Sequence, residues 1–385
     1  MEPVARAITQ MVLLIGNYPP DQQQSMQRFA TMMLQGLHAA GVAAELMQPE
    51  PVWGGKMSRA PALNKILGYV YKFIVFPRRL KSKCASRPAI VHICDHSNAM
   101  YATAASGIPT VVTCHDLLAV RSALGESTDC RVSATGRFLQ RWILRSLRRV
   151  SAIACVSGAT LNDLRRLLGP GRTGTSDRVV ALGLSFPYRR IPPAEVAARL
   201  ATIKDLDPAR PFVLHVGSNL VRKNRDGVLR IFARASGSWD AQLVVAGNAL
   251  SPELNALARA IGVASAVVNV PDPPNELLEA LYNGATALLF PSTFEGFGWP
   301  IAEAQACGCP VICSDIEPFQ EVTAGSALMR DVRDEDGFAE DLLRLRQPEE
   351  REQWAAKSLR NAERFSTGRM IDGYVQLYRT LAPQL

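Results

Sequence analysis

The chain is predicted to be an α/β protein made of two doubly wound parallel-sheet units. Three observations carry this expectation. Short, continuously apolar runs of strand length recur along all 385 residues, as expected for parallel strands buried on both faces. Amphipathic, helix-like stretches separate them, the alternation from which such sheets are built. The alternation pauses once, around residues 183–210, where Gly183, Pro187, Pro192, Pro193, Pro208 and Pro211 gather. At about 100–200 residues per domain, the length also predicts two domains.

The elements read in order. Met11–Ile15 is a buried strand. Ser25 is placed to cap a helix with Phe29, Met33, Leu34 and Leu37 inside and Gly41 at its end. Further strands are predicted at Ile90–Cys94, Thr110–Cys114 and Ala152–Val156. After the pause they resume at Phe212–Val216, Gln242–Ala246, Ala266–Val270, Ala287–Phe290 and Val311–Cys313. Ligands of open parallel sheets bind beyond the carboxyl ends of the strands, so the loops there are the places to look for chemistry. Two such units facing each other would put the site in the cleft between them.

Composition narrows the class. Apolar residues make up 48% and charged residues 20% of the chain, ordinary values for a globular protein. No apolar run approaches the roughly 18–20 residues of a spanning helix, and no signal peptide is read at the N-terminus. The eight cysteines are irregularly spaced and suit reduced thiols in a cytoplasmic protein. Cys307, Cys309 and Cys313 cluster without a second ligand pair at finger spacing, so no metal is expected. Residues 1–190 hold 24 basic and 10 acidic residues; the remainder holds 19 and 25. A basic half and an acidic half suggest different partners. No nucleic-acid motif accompanies the charge, so a nucleic-acid partner is not expected.

Three constellations carry the chemistry. The first is Glu295-Gly-Phe-Gly-Trp-Pro-Ile-Ala-Glu303, after the strand Ala287–Phe290. Gly296 and Gly298 permit close backbone approach. Pro300 suits the first helical position, and a helix N-terminus after a glycine loop favours phosphate. Glu295 and Glu303 can each accept hydrogen bonds from paired sugar hydroxyls. The plainer alternative is a packing unit with surface glutamates. The second is His215-Val-Gly-Ser-Asn-Leu-Val-Arg-Lys-Asn224, where Arg222 and Lys223 open a helix and suit a diphosphate. The alternative is two solvated cations. The third is His115-Asp116 after Thr110–Cys114. His115 can donate to a sugar hydroxyl or phosphate, or the pair is simply a structural turn.

Together these residues resemble one family, the retaining glycosyltransferases of the two-Rossmann-domain type called family 4. The hallmark E-x7-E is matched by Glu295 and Glu303 within FPSTFEGFGWPIAEAQACGCPVICSD, supported by RKN after VGS and by TCHD. The resemblance implies a GT-B architecture of two Rossmann-like domains facing a central cleft. Residues 1–190 would bind the acceptor and 191–365 the nucleotide sugar, with 366–385 a helix packing back on the N-terminal domain. It implies transfer of a hexose from GDP-mannose or a UDP-sugar to a glycan or lipid-linked acceptor in cell-envelope polysaccharide or glycolipid assembly. Arg222 and Lys223 would hold the diphosphate. Glu295 would bind the donor sugar near the amides of Phe297 and Gly298, and Glu303 the ribose. His115 would reach the sugar from the N-terminal domain. Neither metal nor protein base is implied.

Two departures from the family pattern stand out. The first loop reads Gly16-Asn17-Tyr18-Pro-Pro-Asp21 instead of consecutive glycines, leaving the amides of Asn17 and Tyr18 to approach the donor. Ser218 follows Gly217 where many members carry Arg. Lys223 is expected to be solvent-accessible. Loops after Gly247 and around Pro271–Asn275 are expected near the base. A sugar-nucleotide epimerase, a phosphorylase and a catalytically silent binding subunit are the rival readings; none explains Glu295…Glu303 as well.

Two basic stretches complete the reading. Lys65–Lys83 mixes cations with aromatic and aliphatic residues, and either meets an anionic membrane or forms a helix with a solvated face. Arg137–Val150 reads as the latter.

Overall fold

A computed structural model describes residues 9–21, 23–50, 61–169, 172 and 176–385. The chain forms two compact units, Met1–Ser185 with Thr367–Leu385, and Phe186–Ser366.

Among the described residues the first unit holds six parallel strands: β1 (Thr9–Ile15), β2 (Ala44–Met47), β3 (Pro88–Ile93), β4 (Thr110–Cys114), β5 (Ala152–Cys155) and β6 (Arg178–Val179). Their order is β2-β1-β3-β4-β5-β6. Val12, Leu13, Leu14 and Ile15 are wholly buried, each such side chain stabilising the fold by about 1.5–3 kcal/mol. The helix Gln24–Ala39 turns Phe29, Met33 and Leu37 inward. Ser25 does not cap it. The helix starts two residues earlier than that cap would place it, from Gln23, and no side chain caps its amides. Gly36 admits the C-terminal helix Thr367–Leu381, because a Cβ there would lie 2.5 Å from Ile371. On this helix the Tyr374 hydroxyl meets Thr113 Oγ1 at 2.7 Å, and the Tyr378 hydroxyl meets His92 Nδ1 at 2.6 Å.

The second unit holds β7 (Phe212–Gly217), β8 (Gln242–Gly247), β9 (Val267–Pro271), β10 (Ala287–Phe290), β11 (Val311–Ser314) and β12 (Leu328–Arg330). All are parallel, in the order β12-β11-β10-β7-β8-β9. This unit begins at Phe186 because the segment that follows is bonded into it. The Arg189 amide donates to Glu279 Oε1 at 3.1 Å and the Ile191 amide to Asn283 Oδ1 at 3.0 Å.

Each sheet reverses its strand order once, between β1 and β3 in the first and between β7 and β10 in the second. A crevice opens beyond the carboxyl ends of the strands at such a point. Three strands have no counterpart in the sequence reading, β2, β6 and β12, and all three are edge strands. An edge strand has a neighbour on one side only, so it needs no long apolar run. β6 is two residues long.

Candidate functional site

In the second unit, β7 ends at Gly217, which is paired with Gly247 at the end of β8. Gly247 has φ +105, and a Cβ on it would lie 2.3 Å from the Gly217 carbonyl oxygen. Only glycine fits there, and the two loops leave the sheet in close contact. The chain then makes a 3₁₀ turn, Val221–Lys223, and Asn224 takes a left-handed conformation from which the helix Arg225–Ser236 starts. Asparagine tolerates that conformation better than most residues. Its Nδ2 donates to the Pro291 carbonyl at 3.0 Å, and the Thr293 amide donates to the Arg222 carbonyl at 2.8 Å. The turn is thereby tied to the loop after β10.

That tie brings three predicted residues together. Arg222 Nη1 lies 2.6 Å from Glu295 Oε2, and Lys223 Nζ lies 2.5 Å from Glu295 Oε1. Lys223 Nζ also sits 4.8 Å above the Phe290 ring. Burial alone would raise the Glu295 pKa, but the charges of Lys223 and Arg222 outweigh it and hold the carboxyl below its ordinary value. Burial is the main cause that lowers Lys223, with Arg222 and Arg225 adding to it and Glu295 opposing. The expectation that Lys223 is solvent-accessible needs correction: its side chain is 11% exposed. The ring beneath it and the carboxylate beside it cover the ammonium.

The remaining residues of this unit take distinct places. Gly217, Ser218 and Gly296 are half-buried. Gly298, at φ +108, precedes the helix Trp299–Ala306, with the Phe319 ring where a side chain would go. Phe297 buries its ring edge-on to Phe365 at 5.6 Å, so it is a core residue. Glu303 is buried, and its Oε2 accepts from the Tyr282 hydroxyl at 2.8 Å. Cys307, Cys309 and Cys313 are buried free thiols.

Asn17 and His115 belong to the first unit, after β1 and β4. Asn17 is buried, and its Nδ2 donates to Asp95 Oδ2 at 2.6 Å and also to Gln23. Asp95 further accepts from the Ser97 amide at 2.9 Å and the Ser97 hydroxyl at 2.6 Å, with His96 Nδ1 at 3.2 Å. Burial would raise the Asp95 pKa, but His96, His115 and Ser97 reverse it and hold the carboxyl well below the usual range. His115 stacks edge-on to Phe29 at 4.9 Å, and its Nε2 lies 2.9 Å from the Cys94 carbonyl oxygen. A carbonyl only accepts, so Nε2 carries the proton. Burial, more than the nearby His96, lowers this ring's pKa and keeps it neutral. Nδ1 is then an acceptor. In this neutral form the ring can take a hydrogen bond from a hydroxyl at Nδ1.

Sequence reasoning missed three groups. Asp95-His96 follows β3 just as His115-Asp116 follows β4, so the same strand-end signal was present. Arg225 is the third cation within four residues of Arg222 and is largely buried. Tyr282 lies in a helix, Asn275–Gly284, with nothing in its pattern to mark it.

Comparisons with known proteins bear on these sites. Residues 210–347 match the family model described as glycosyl transferases group 1, and residues 26–174 that of glycosyltransferase family 4. A D-inositol 3-phosphate glycosyltransferase of Frankia alni is 30% identical over 290 residues, 71% of this chain and 69% of the relative. A protein of the same name from Rhodococcus erythropolis is 29% identical over 290 residues, 72% of this chain. That match spans 63% of the Rhodococcus protein, less than two thirds of its length. The Escherichia coli O-antigen chain mannosyltransferase B is 36% identical over 109 residues, 28% of this chain and 29% of that protein. Among solved structures, sucrose-phosphate synthase from Thermosynechococcus elongatus superposes with a TM-score of 0.75 at 18% identity, covering 97% of this chain and 99% of that one. Anabaena Alr3699/HepE in complex with UDP and glucose gives 0.73 at 14% identity, covering 96% and 100%. At such identities the structures speak to the fold.

Proposed function

This chain belongs to the group 1 glycosyltransferases, and from that premise we propose that it transfers a hexose from a nucleotide-diphosphate sugar to a glycan or lipid-linked acceptor, with retention of configuration. One observation carries the reading: Arg222 and Lys223 converge on Glu295 at the strand-order reversal of the second sheet. Two cations held there suit the charge of a leaving diphosphate, where preorganised electrostatics contributes most to rate. The bond from the anomeric carbon to the phosphate oxygen breaks, and the bond to the acceptor oxygen forms on the same face. The acceptor's proton passes to the leaving phosphate, so neither a metal nor a protein base is required. Glu295 serves the sugar hydroxyls and Glu303 the ribose. The Escherichia coli relative and the UDP-bound neighbour make GDP-mannose and UDP-sugars the first donors to try.

A thermal-shift panel of UDP-, GDP- and ADP-sugars, followed by nucleotide release with glycan and lipid-linked acceptors, tests this. A donor that stabilises the protein and is consumed with an acceptor is the expected result. Stabilisation without release, whatever the acceptor, would mean a silent binding subunit. Conversion of the donor to its epimer would mean an epimerase.

The acceptor side carries a second reading, peripheral contact of this cytoplasmic enzyme with an anionic membrane through Lys65–Lys83 in polysaccharide or glycolipid assembly. Among the described residues no helix is long and apolar enough to cross a membrane. The stretch runs through the helix Pro61–Val70, a π-helical turn Tyr71–Val75 and the helix Phe76–Cys84; the Lys65 side chain lies outside the described residues. Ile66, Tyr69, Val70 and Ile74 are exposed beside Arg78, Arg79 and Lys81. Phe73 lies 5.7 Å from Trp142, whose helix, Ala134–Leu147, also exposes Phe138 at 72%. Exposed aromatics beside arginines suit a headgroup boundary. Sedimentation with anionic liposomes at physiological salt tests it, and a protein left wholly in the supernatant would end this reading.

A further inference from the structure

We infer that Arg225 is a third cation of the diphosphate site, acting from beneath the loops that would carry the ligand. The inference rests on reading the Arg222–Lys223–Glu295 cluster as the place of a diphosphate. Arg225 is only 4% exposed. Its Nη1 donates to Asn219 Oδ1 at 2.6 Å and to the Asn248 carbonyl at 2.7 Å. Its Nη2 donates to the Gly217 carbonyl at 2.5 Å and, more distantly, to the Ala246 carbonyl at 3.5 Å. These acceptors come from the ends of β7 and β8 and from the two loops that leave them. They are all neutral.

A buried cation is costly unless it is paired, and a guanidinium held only by neutral oxygens keeps its full charge. That charge is felt nearby. It adds to the burial that lowers the pKa of His215 to about 3, and it helps lower that of Lys223. Holding the two loops together does not require a charge. Asn219 Nδ2 already donates across to the Ala249 carbonyl at 2.8 Å, and the Asn248 amide to the Gly217 carbonyl at 3.2 Å. What Arg225 adds is positive potential. Arg222 and Lys223 pair with Glu295, and Arg225 adds a third positive charge that Lys223 feels, an excess that a diphosphate would balance.

Arg225 is therefore a positioning residue whose charge also strengthens anion binding without touching the anion. The test is binding of inorganic pyrophosphate, which reads the anion site whatever base the donor carries, by wild type, Arg225→Lys, Arg225→Met and Arg225→Gln. Affinity is expected to fall by more than roughly tenfold in both neutral variants, and by less than about threefold in Arg225→Lys, because charge is what counts. The dependence of affinity on salt should be shallower in the neutral variants. Neutral variants that bind pyrophosphate as wild type does would overturn the inference. So would an Arg225→Lys variant as weak as Arg225→Met, since geometry alone would then explain the loss. If neither neutral variant folds even with pyrophosphate present, Arg225 is structural and the inference fails. Wild type that ignores pyrophosphate would instead remove the diphosphate reading beneath it.

Discussion

The two units carry polar clusters at equivalent places, and the clusters differ in charge. In the second unit, Arg222, Lys223 and Arg225 outnumber Glu295 at the β7/β10 reversal. In the first, at the β1/β3 reversal, the buried carboxylate of Asp95 is surrounded by Asn17, Ser97 and His96, with a neutral His115 near by. Both clusters stand at the same topological position on parallel sheets of six strands. The fold chooses where a ligand can bind; the side chains choose what kind. Excess cations suit phosphate, whereas amide, hydroxyl and imidazole groups around a satisfied carboxylate suit uncharged hydroxyls.

The sharpest way to break this contrast is Lys223→Met. If the second cluster exists to stabilise a departing diphosphate, turnover with the stabilising donor should fall by about 10²–10³-fold, the range for loss of one preorganised transition-state contact. The fold should hold, because Arg222 still pairs with Glu295 and Met fills the space above Phe290. Steady-state kinetics and a melting curve on the same preparation check it. A variant that melts far below wild type, or that turns over normally, would make Lys223 a structural partner of Glu295.

Much of this contrast was legible in the sequence, unevenly. The interior strands β7, β8, β10 and β11 announce themselves as apolar runs because both faces are covered, and site residues follow strand ends. The edge strands β2, β6 and β12 do not, since half-covered strands of two to four residues have no such run. The Arg222-Lys223 pair and Glu295 are distant in sequence, yet each follows a strand end, so their convergence could be argued. Arg225 could not be sorted from a solvated helix residue, because its burial depends on carbonyls at the ends of β7 and β8 and just beyond. The protonation of His115 was equally hidden. It is decided by the Cys94 carbonyl just beyond the neighbouring strand, which no spacing reveals.

A second prediction sharpens the first unit's side of the contrast. Asp95→Asn should lower stability at neutral pH by roughly 2 kcal/mol, the cost of disturbing a buried, hydrogen-bonded charge. It should leave pyrophosphate affinity unchanged. The pH dependence has a definite sign. The folded carboxyl is held below its unfolded value of about 4, since His96, His115 and Ser97 outweigh the upward effect of burial. Its stabilisation is complete above that pH and disappears as pH falls toward the folded value. Urea unfolding across a pH series should therefore show wild type and variant converging from about pH 4 downward. A constant gap to pH 2 would mean that the Asp95 charge contributes nothing, and weaker pyrophosphate binding would erase the division between clusters.

The smallest effect is expected behind the first cluster, where polar groups support the fold without serving a ligand. His92 is wholly buried; Nδ1 meets the Tyr378 hydroxyl at 2.6 Å and Nε2 meets Thr113 Oγ1 at 2.8 Å. Burial, with His115 near by, lowers its pKa from 6.5 to about 3. The unfolded chain takes up this proton as pH drops below about 6.5, and the folded chain does not. His92 therefore costs stability progressively from there toward pH 3. Tyr378→Phe removes one hydroxyl and leaves one imidazole nitrogen without its partner, which should cost about 1 kcal/mol. His92→Gln should flatten the acid slope between about pH 6.5 and 3, because the variant has no proton to take up there. Neither change should alter pyrophosphate affinity or turnover. If Tyr378→Phe slows transfer tenfold while melting normally, the C-terminal helix takes part in the chemistry, and the first unit's polar groups cannot be divided into supports and ligand contacts.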